Sequence, residues 1–424
     1  MKKKLLILVV AFNHEKFIHK VLDRIDQNLS KNYDVEILIN DDSSSDNTLK
    51  VTENYIQNSK KDFKYTILSN PINQGYGGNQ KIGFLYAIKN NFDYVALVHG
   101  DGQYAPEYLE TLVAPLANNN IDAVFGSRMI NKNGAIKGGM PIYKYIGNKI
   151  LTFYQNKLFN KNFTEFHSGY RIYKVQSLKK VPYELNNNDH SFDNEIIIQF
   201  LLADLNIKEL PIPTYYGEEI SYVNGIKYAF QVFIANIKAK LQSYGIFYDP
   251  KYDFNKKKTN YLLKDKFDSP HSRVLKNVRS NSNILDLGSN DNGLGKILKK
   301  QKNCYVVAVD TGKKLSDETD VDKYLEFDLN KGLPDLDYNE FDYILLLDVI
   351  EHLKNPEEFM KTLKKKIDKN SKITVIVSTP NIGFLVIRLM LLFGSFNYGN
   401  RGILDKTHTR LFTFSSFKNL LLQS

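Results

Sequence analysis

Short, unbroken apolar runs alternate along this chain with stretches whose apolar positions recur at helical spacing. The first run, LLILVVAF, leads to a helical pattern near residues 15–25, then VEILIN, a helical pattern around residues 46–57, and YTILSN. A helix around residues 80–89, the run YVALVH and the run DAVFGSR continue the series. Apolar runs of roughly four to eight residues separated by helical patterns predict parallel strands joined by crossover helices. Residues 130–245 are less regular and rich in Tyr and Phe, and a lysine-rich stretch over residues 248–266 reads as a linker or connecting helix. A second alternating series opens at NILDLG and runs through CYVVAVD, YLEFD, FDYILLLDV and KITVIVSTPN. The pattern predicts two α/β units in tandem, residues 1–245 and 271–424, joined by a linker over residues 246–270.

Two segments imitate membrane signals. MKKKLLILVVAFNHEKF has a basic start and an apolar core, but no small-residue cleavage site follows and Asn13-His14-Glu15-Lys16 comes at once. It reads as a buried first strand. FLVIRLMLLFG is short for a bilayer span and carries Arg388 in its middle. The expectation is a chain without a membrane span, working in the cytoplasm with peripheral contact at the inner face of the membrane. Its 424 residues are 42% hydrophobic, which excludes a disordered chain. Net charge is +10, yet Lys and Arg alternate with acids through both halves, without an arginine-rich arm or zinc-finger spacing. Nucleic acid is therefore not an expected partner. A mildly basic surface suits anionic partners such as nucleotide sugars or acidic lipid head groups. The single cysteine, Cys304, excludes an intrachain disulfide framework and fits a reducing compartment.

Candidate chemistry lies where apolar runs end in polar residues, the carboxyl edge at which α/β sheets bind ligands. YVALVH runs into GDGQYAPE, where Asp101 is either a cation ligand or part of an ordinary turn. VEILIN runs into DDSSSDNT. There Asp46 is a good helix cap, while the adjacent Asp41 and Asp42 repel unless something cationic or hydroxylic shares them.

Taken in order, these segments resemble family 2 glycosyltransferases of the GT-A fold. INDDSSSDNT is similar to that family's Ile-Val-Asp-Asp-Gly-Ser-Thr-Asp-Asn-Thr, with Ser43 in place of Gly. NQGYGGNQKIGFLYA, GDGQYAPE, GSRM, SGYRIY and FDNEIIIQFLLADLNIKELPIPTYYGEE resemble its later segments in the same order. The most similar subgroup is the polyprenyl-phosphate sugar transferases. The resemblance implies inverting transfer from a nucleotide-diphospho-sugar donor to a glycan or lipid-phosphate acceptor. It implies Mg²⁺ or Mn²⁺ held by Asp101 and Gln103, with His99 where the family has the first Asp of its pair. Imidazole is a poor Mg²⁺ ligand and an acceptable Mn²⁺ one, so this departure leaves open the metal, or the part His99 plays. Asp41, Asp42, Gly75, Asp101 and Arg128 are the implied donor-binding residues, and Arg171 joins Arg128 as a candidate for phosphate or acceptor contact. Asp193 and Glu195 are the candidate bases for a hydroxyl acceptor, whereas a phosphate acceptor needs none.

NILDLGSNDNGLGKIL resembles the first motif of class I S-adenosylmethionine-dependent methyltransferases, in which an acid precedes a glycine-rich turn. Asn290 and Asn292 stand where relatives have Gly, and Asn tolerates positive φ best among the other residues. The resemblance implies cofactor contacts from Asp286, Gly288, the ribose acid Asp310 and the adenine-side acid Asp328. FDYILLLDVIEHLKNPEEF, STPN and GILDKTHTRLFTFSSF resemble later motifs, and SPHSRVLKNV a lead-in helix. His352 and His408 are candidate bases. The class I fold closes with an antiparallel strand pair, which FKNLLLQS comes too soon to supply, so a Rossmann-like fold lacking its last strands is expected. The whole reads as a bacterial, bifunctional transferase of surface glycan biosynthesis. One alternative is a glycosyltransferase whose second unit only docks or binds cofactor. Another, should His99 abolish metal binding, is a non-catalytic nucleotide-binding protein.

Overall fold

Residues Lys3–Ala11 form the first strand, β1, and its side chains explain the resemblance to a signal peptide. Leu5, Ile7 and Val9 enter one hydrophobic core while Leu6, Leu8 and Val10 enter another on the opposite face. A central parallel strand covered on both sides reads as an unbroken apolar run. The computed structural model describes residues 2–216, 224–243, 248–253, 269–290, 293–312, 320–368, 371–400 and 402–423. The chain divides into two units, Met1–Asn255 and Lys256–Ser424.

The first unit carries a seven-stranded sheet in the order β3-β2-β1-β4-β6-β5-β7. Its strands are β1, β2 (Tyr33–Asp41), β3 (Lys64–Ser69), β4 (Tyr94–His99), β5 (Ala123–Ser127), β6 (Arg171–Lys174) and β7 (Ile207–Pro211). All expected strands form, and β6, which the apolar pattern does not reveal, inserts antiparallel between β4 and β5. The helix expected around residues 80–89 begins earlier and spans Gly75–Lys89, despite its glycines. A Cβ on Gly77 would strike the Asn187 carbonyl and the Phe192 side chain, both at 2.6 Å. Close approach of neighbouring chain therefore outweighs the helix penalty of glycine, about 1 kcal/mol per residue.

The irregular middle region holds the helices Ile142–Phe159, Phe192–Leu202 and Gly225–Ser243. Much of the expected linker lies outside the described residues. Its described part, residues 248–253, packs on the first unit instead of spanning free: Tyr252 is buried with Ile198, Ala235 and Ala239.

The second unit has a five-stranded, wholly parallel sheet in the order β10-β9-β8-β11-β12 among the described residues. Its strands are β8 (Asn283–Leu287), β9 (Tyr305–Asp310), β10 (Lys323–Glu326), β11 (Tyr343–Leu347) and β12 (Thr374–Ser378). The lead-in helix Pro270–Asn277 starts with a reciprocal capping box between Ser269 and Ser272. Strand order reverses between β8 and β11, the switch point at which such sheets open a ligand crevice. Among the described residues no helix is long and apolar enough to cross a membrane.

Candidate active sites

The register of the first sheet brings three strand ends together, with Ala11 opposite Asp41 and Val10 opposite His99. Asp41 and Asp42 follow one another here, and hydrogen bonds relieve their repulsion. Asp41 is buried and accepts from the Ser44 amide at 3.0 Å and its hydroxyl at 2.5 Å. Asp42 accepts from Asn70 at 2.9 Å and from the Gln74 amide at 2.7 Å. Between these acids and Ser44, Ser43 takes φ +62, the left-handed conformation for which glycine is suited. The helix Thr48–Asn58 has Asn47 at its N-cap, so Asp46 lies one residue earlier than the capping role expected of it, although it accepts from the amide and hydroxyl of Thr48.

A cavity of about 1100 Å³ opens over these strand ends, and Asp42, Gly75, Asp101, Gln103, Arg128 and Asp193 line it. Asp41 does not. Gly75 takes φ +78, and a Cβ there would meet the Asn188 carbonyl at 2.6 Å. The amides of Gly77 and Gly78 also donate to that carbonyl, so they are not a phosphate cradle.

Asp193 and Glu195, both expected as bases, part company. Two residues along a helix turn a side chain by about 200°, so only one can face the cavity. Asp193 does, accepting from the Tyr76 hydroxyl at 2.9 Å and from Gln80 at 3.2 Å. Glu195 points away and is held by Lys251 at 2.7 Å and the Asn187 amide at 2.6 Å. Burial pushes its carboxyl up despite the Lys251 charge. Its place is a structural anchor for residues 248–253.

Arg171 departs from expectation in the same way. It is fully buried, and its guanidinium donates to the carbonyls of Ser168, Asp193 and Phe166 while lying 4.9 Å from the Phe125 ring centroid. With three contacts to backbone and Nη1 also 3.6 Å from Asp193 Oδ1, it positions Asp193 and the start of its helix and is not aimed at a phosphate. Arg128 does line the cavity, but Glu165 grips it through the side chain and also through the Arg128 amide at 2.7 Å.

Asp101 accepts from the Gln103 amide at 3.0 Å in a turn that Gly102 closes at φ +78. Its neighbour His99 bonds the Tyr76 hydroxyl through Nε2 at 3.0 Å. The hydroxyl proton goes to Asp193, so Nε2 must carry the ring proton and Nδ1 the lone pair. Burial pushes the His99 imidazole below its ordinary value, against the pull of Asp101 and Asp193. Three residues unmarked in the sequence reading join this group. Tyr76 stacks on His190 with centroids 4.9 Å apart, and His14 sits where a Cβ on Gly100 would touch its Nδ1 at 2.7 Å. His14 lies three residues past the end of β1, a signal of the carboxyl edge present in the sequence.

No three His, Cys, Asp or Glu ligand atoms converge among the described residues of the first unit. Asp101 alone offers a carboxylate at the turn. That donor set fits a hard cation that arrives with a diphosphate and keeps water ligands, rather than an all-protein cage.

Two helices that contribute to the cavity lining carry exposed apolar stripes. Ile142, Ile146, Ile150 and Phe153 repeat at helical spacing on one helix and are 67%, 50%, 62% and 70% exposed. Ile226, Phe230 and Phe233 do the same on the helix Gly225–Ser243, which packs against it through Tyr154 and Phe233 at 5.4 Å. Ile150 and Ile226 also line the cavity, so both stripes are continuous with it.

In the second unit, Gly288 follows β8 at φ +85, and a Cβ there would strike Val349 at 2.4 Å. Asn290 takes φ +48, as its type suggested, and Asn292 lies outside the described residues. Asp310 ends β9 and accepts from the Asn290 and Gly312 amides at 2.8 and 3.2 Å. Asp286 is buried within β8, and burial together with the Asp310 charge pushes its carboxyl up to about 7. Asp328 caps the short turn Leu329–Lys331 through the Asn330 amide at 2.9 Å. His408 meets His352 edge to face.

Residues 6–182 match the description Glycosyl transferase family 2, and residues 259–424 match a methyltransferase domain. The chain is 30% identical over 241 residues to an uncharacterized protein of Methanocaldococcus jannaschii, covering 56% of this chain and 93% of that one. It is 29% identical over 252 residues to UDP-N-acetylglucosamine–dolichyl-phosphate N-acetylglucosaminyltransferase of Methanococcus voltae, covering 57% and 98%. A GalNAc(5)-diNAcBac-PP-undecaprenol β-1,3-glucosyltransferase of Campylobacter jejuni is 26% identical over 208 residues, covering 41% and 65%. The chain belongs to glycosyl transferase family 2 through its first unit and carries a methyltransferase domain as its second.

Proposed function

We propose that the first unit transfers a sugar, with inversion, from a nucleotide-diphospho-sugar to a polyprenyl phosphate at a membrane surface, and that the second unit transfers methyl from S-adenosylmethionine. The observation that carries the first half is one cavity with acids at one end and exposed apolar helices at the other. Asp42 suits the hydroxyls of a nucleoside, and Asp101 with Gln103 would hold the cation that the diphosphate brings. That cation, when bound, neutralises the charge growing on the leaving diphosphate. The lipid phosphate is already anionic and attacks without a base, while Ile150 and Ile226 give its chain an apolar path out of the cavity. The Methanococcus voltae relative, named for a dolichyl-phosphate acceptor, supports this class of acceptor. For the second half, Gly288 and Asp310 suit the amino-acid and ribose parts of the cofactor.

Calorimetric titration of the full chain with UDP and GDP, with and without Mn²⁺, tests the donor site. Asp101→Ala should remove the metal-dependent part of binding and His99→Ala should weaken it less, since a neutral imidazole offsets no charge. Equal loss in both variants would make His99 a full ligand, and no loss in either would defeat the cation assignment.

A further inference from the structure

The residues after β11 and the segment 405–410 bring three metal-binding side chains together in the second unit. One ligand atom from each of Glu351, His352 and His408 lies within 4.8 Å of the others. The two histidines are held alike: Nδ1 of His352 meets the Thr407 carbonyl at 3.1 Å, and Nδ1 of His408 the Ile403 carbonyl at 3.0 Å. A carbonyl only accepts, so each Nδ1 carries a proton and each neutral ring keeps its lone pair on Nε2. Metal-binding imidazoles are oriented in just this way, by a backbone acceptor on the outer nitrogen.

Glu351 supplies the independent sign of a ligand. It is 1% exposed, and neither carboxylate oxygen has a hydrogen-bond partner. Its own amide and the Thr379 hydroxyl lie near enough to favour the anion, yet neither completes a hydrogen bond to it. Buried carboxylates without partners are rare and costly in the absence of a cation.

The surrounding chain is fastened to hold this arrangement. The amides of Thr409 and Arg410 donate to the Glu351 carbonyl at 2.8 and 3.1 Å, and the Thr409 hydroxyl reaches the Leu353 carbonyl at 2.7 Å. Asp405 in turn accepts from the Thr407 amide and hydroxyl at 2.9 and 2.7 Å. His408 is thereby clamped against the residues that follow β11.

We propose that Glu351, His352 and His408 hold a divalent transition-metal ion whose remaining coordination positions are open. Two imidazoles and one carboxylate suit Zn²⁺, Co²⁺, Fe²⁺ or Mn²⁺ better than Mg²⁺ or Ca²⁺. Three protein ligands mark a site that takes a further ligand, whereas structural sites close with four. Val349, two residues before Glu351, is the side chain packed against Gly288, so the cluster adjoins the cofactor turn. Resting on the methyltransferase reading, the exchangeable ligand is an acceptor hydroxyl. Its proton is lost to water, its oxygen lone pair takes the methyl, and the sulfonium leaves as a neutral thioether. His408 then serves as a ligand and not as a base.

The test uses the full chain with Asp101→Ala, freed of metal by chelation and titrated with Co²⁺ without nucleotide. We expect one equivalent bound, with visible absorption of nitrogen-ligated Co²⁺ that Zn²⁺ bleaches. Glu351→Gln should lower metal affinity at least about 100-fold while raising the melting temperature of the metal-free chain, because an uncompensated buried charge is gone. A misfolded variant would not give both signs. His408→Ala should lose the spectrum. Cobalt binding no greater than in a Glu351→Gln/His408→Ala double variant, or unchanged affinity in Glu351→Gln, would overturn the site. Metal binding without methyl transfer to any hydroxyl would uphold the site and count against the methyltransferase reading alone.

Discussion

Ser43 holds the turn after β2 at φ +62, a conformation costing a non-glycine residue roughly 1–2 kcal/mol. Part of that returns as lower chain entropy lost on folding, since glycine is freer when unfolded. Ser43→Gly should therefore stabilise the first unit by up to about 1 kcal/mol, read as a shift in denaturant midpoint without a change in slope. Asp193 presents a different question. With a lipid phosphate as acceptor, Asp193→Asn should keep turnover within about tenfold, because no proton has to be removed. With a hydroxyl acceptor, loss of a general base costs about 10²–10⁴-fold. Parallel assays on polyprenyl phosphate and on a lipid-linked glycan would separate the two, and collapse with the phosphate would reject it as the acceptor. Asp286 sets a pH dependence. Its folded carboxyl lies at about 7, above the ordinary value near 4. The stability it lends is thus complete below the ordinary value and lost as pH rises toward and through 7. Each unit of such a shift is worth about 1.4 kcal/mol. Asp286→Asn should flatten this loss in the second unit's thermal unfolding between pH 5 and pH 8, and an unchanged profile would show that the carboxyl stays ionised when folded.

Elements differ in how plainly the chain announces them. β1, β2, β4, β8 and β11 are buried strands with at least one parallel neighbour, and covering on both faces writes them as unbroken apolar runs. β6 is only Arg171–Lys174, with a charge at each end, and owes its place to pairing with β4 and β5. The helices Ile142–Phe159 and Gly225–Ser243 escaped notice for another reason: the first inverts the usual amphipathic rule, burying Asn148, Thr152 and Gln155. Gln155 bonds Asn194 at 2.6 Å and Asn236, on the second helix, at 3.4 Å. Periodicity rules that seek an apolar face turned inward cannot register such a helix. Site residues were legible by type and less so by direction. Asp42, Asp101 and Asp193 reach the cavity, whereas Asp41, Glu195 and Arg171 have the same chemistry turned elsewhere. The outward stripes carry their own test. Ile146→Glu with Phe153→Glu should weaken sedimentation of the chain with anionic vesicles, while nucleotide binding, made at the other end of the cavity, stays unchanged. Equal vesicle binding by wild type and variant would leave the stripes without a membrane role.

Across the whole chain, each unit carries its own sheet, its own switch of strand order and its own hydrophobic cores. Among the described residues, those lining the large cavity fall between residues 10 and 229 of the first unit. Net charge of +10 adds attraction toward an anionic surface, which screening confines to about 10 Å at moderate salt. With the proposed lipid-phosphate acceptor, the apolar stripes beside the cavity would change what concentration means for this protein. A chain resting by those stripes on a bilayer meets its acceptor by lateral diffusion in two dimensions, not by collision from bulk water. Turnover would follow the mole fraction of lipid phosphate in the membrane and fall when inert lipid dilutes it, even at constant total acceptor. Saturation would be a property of the surface, and how crowded the membrane is would govern the rate as directly as any residue in the cavity.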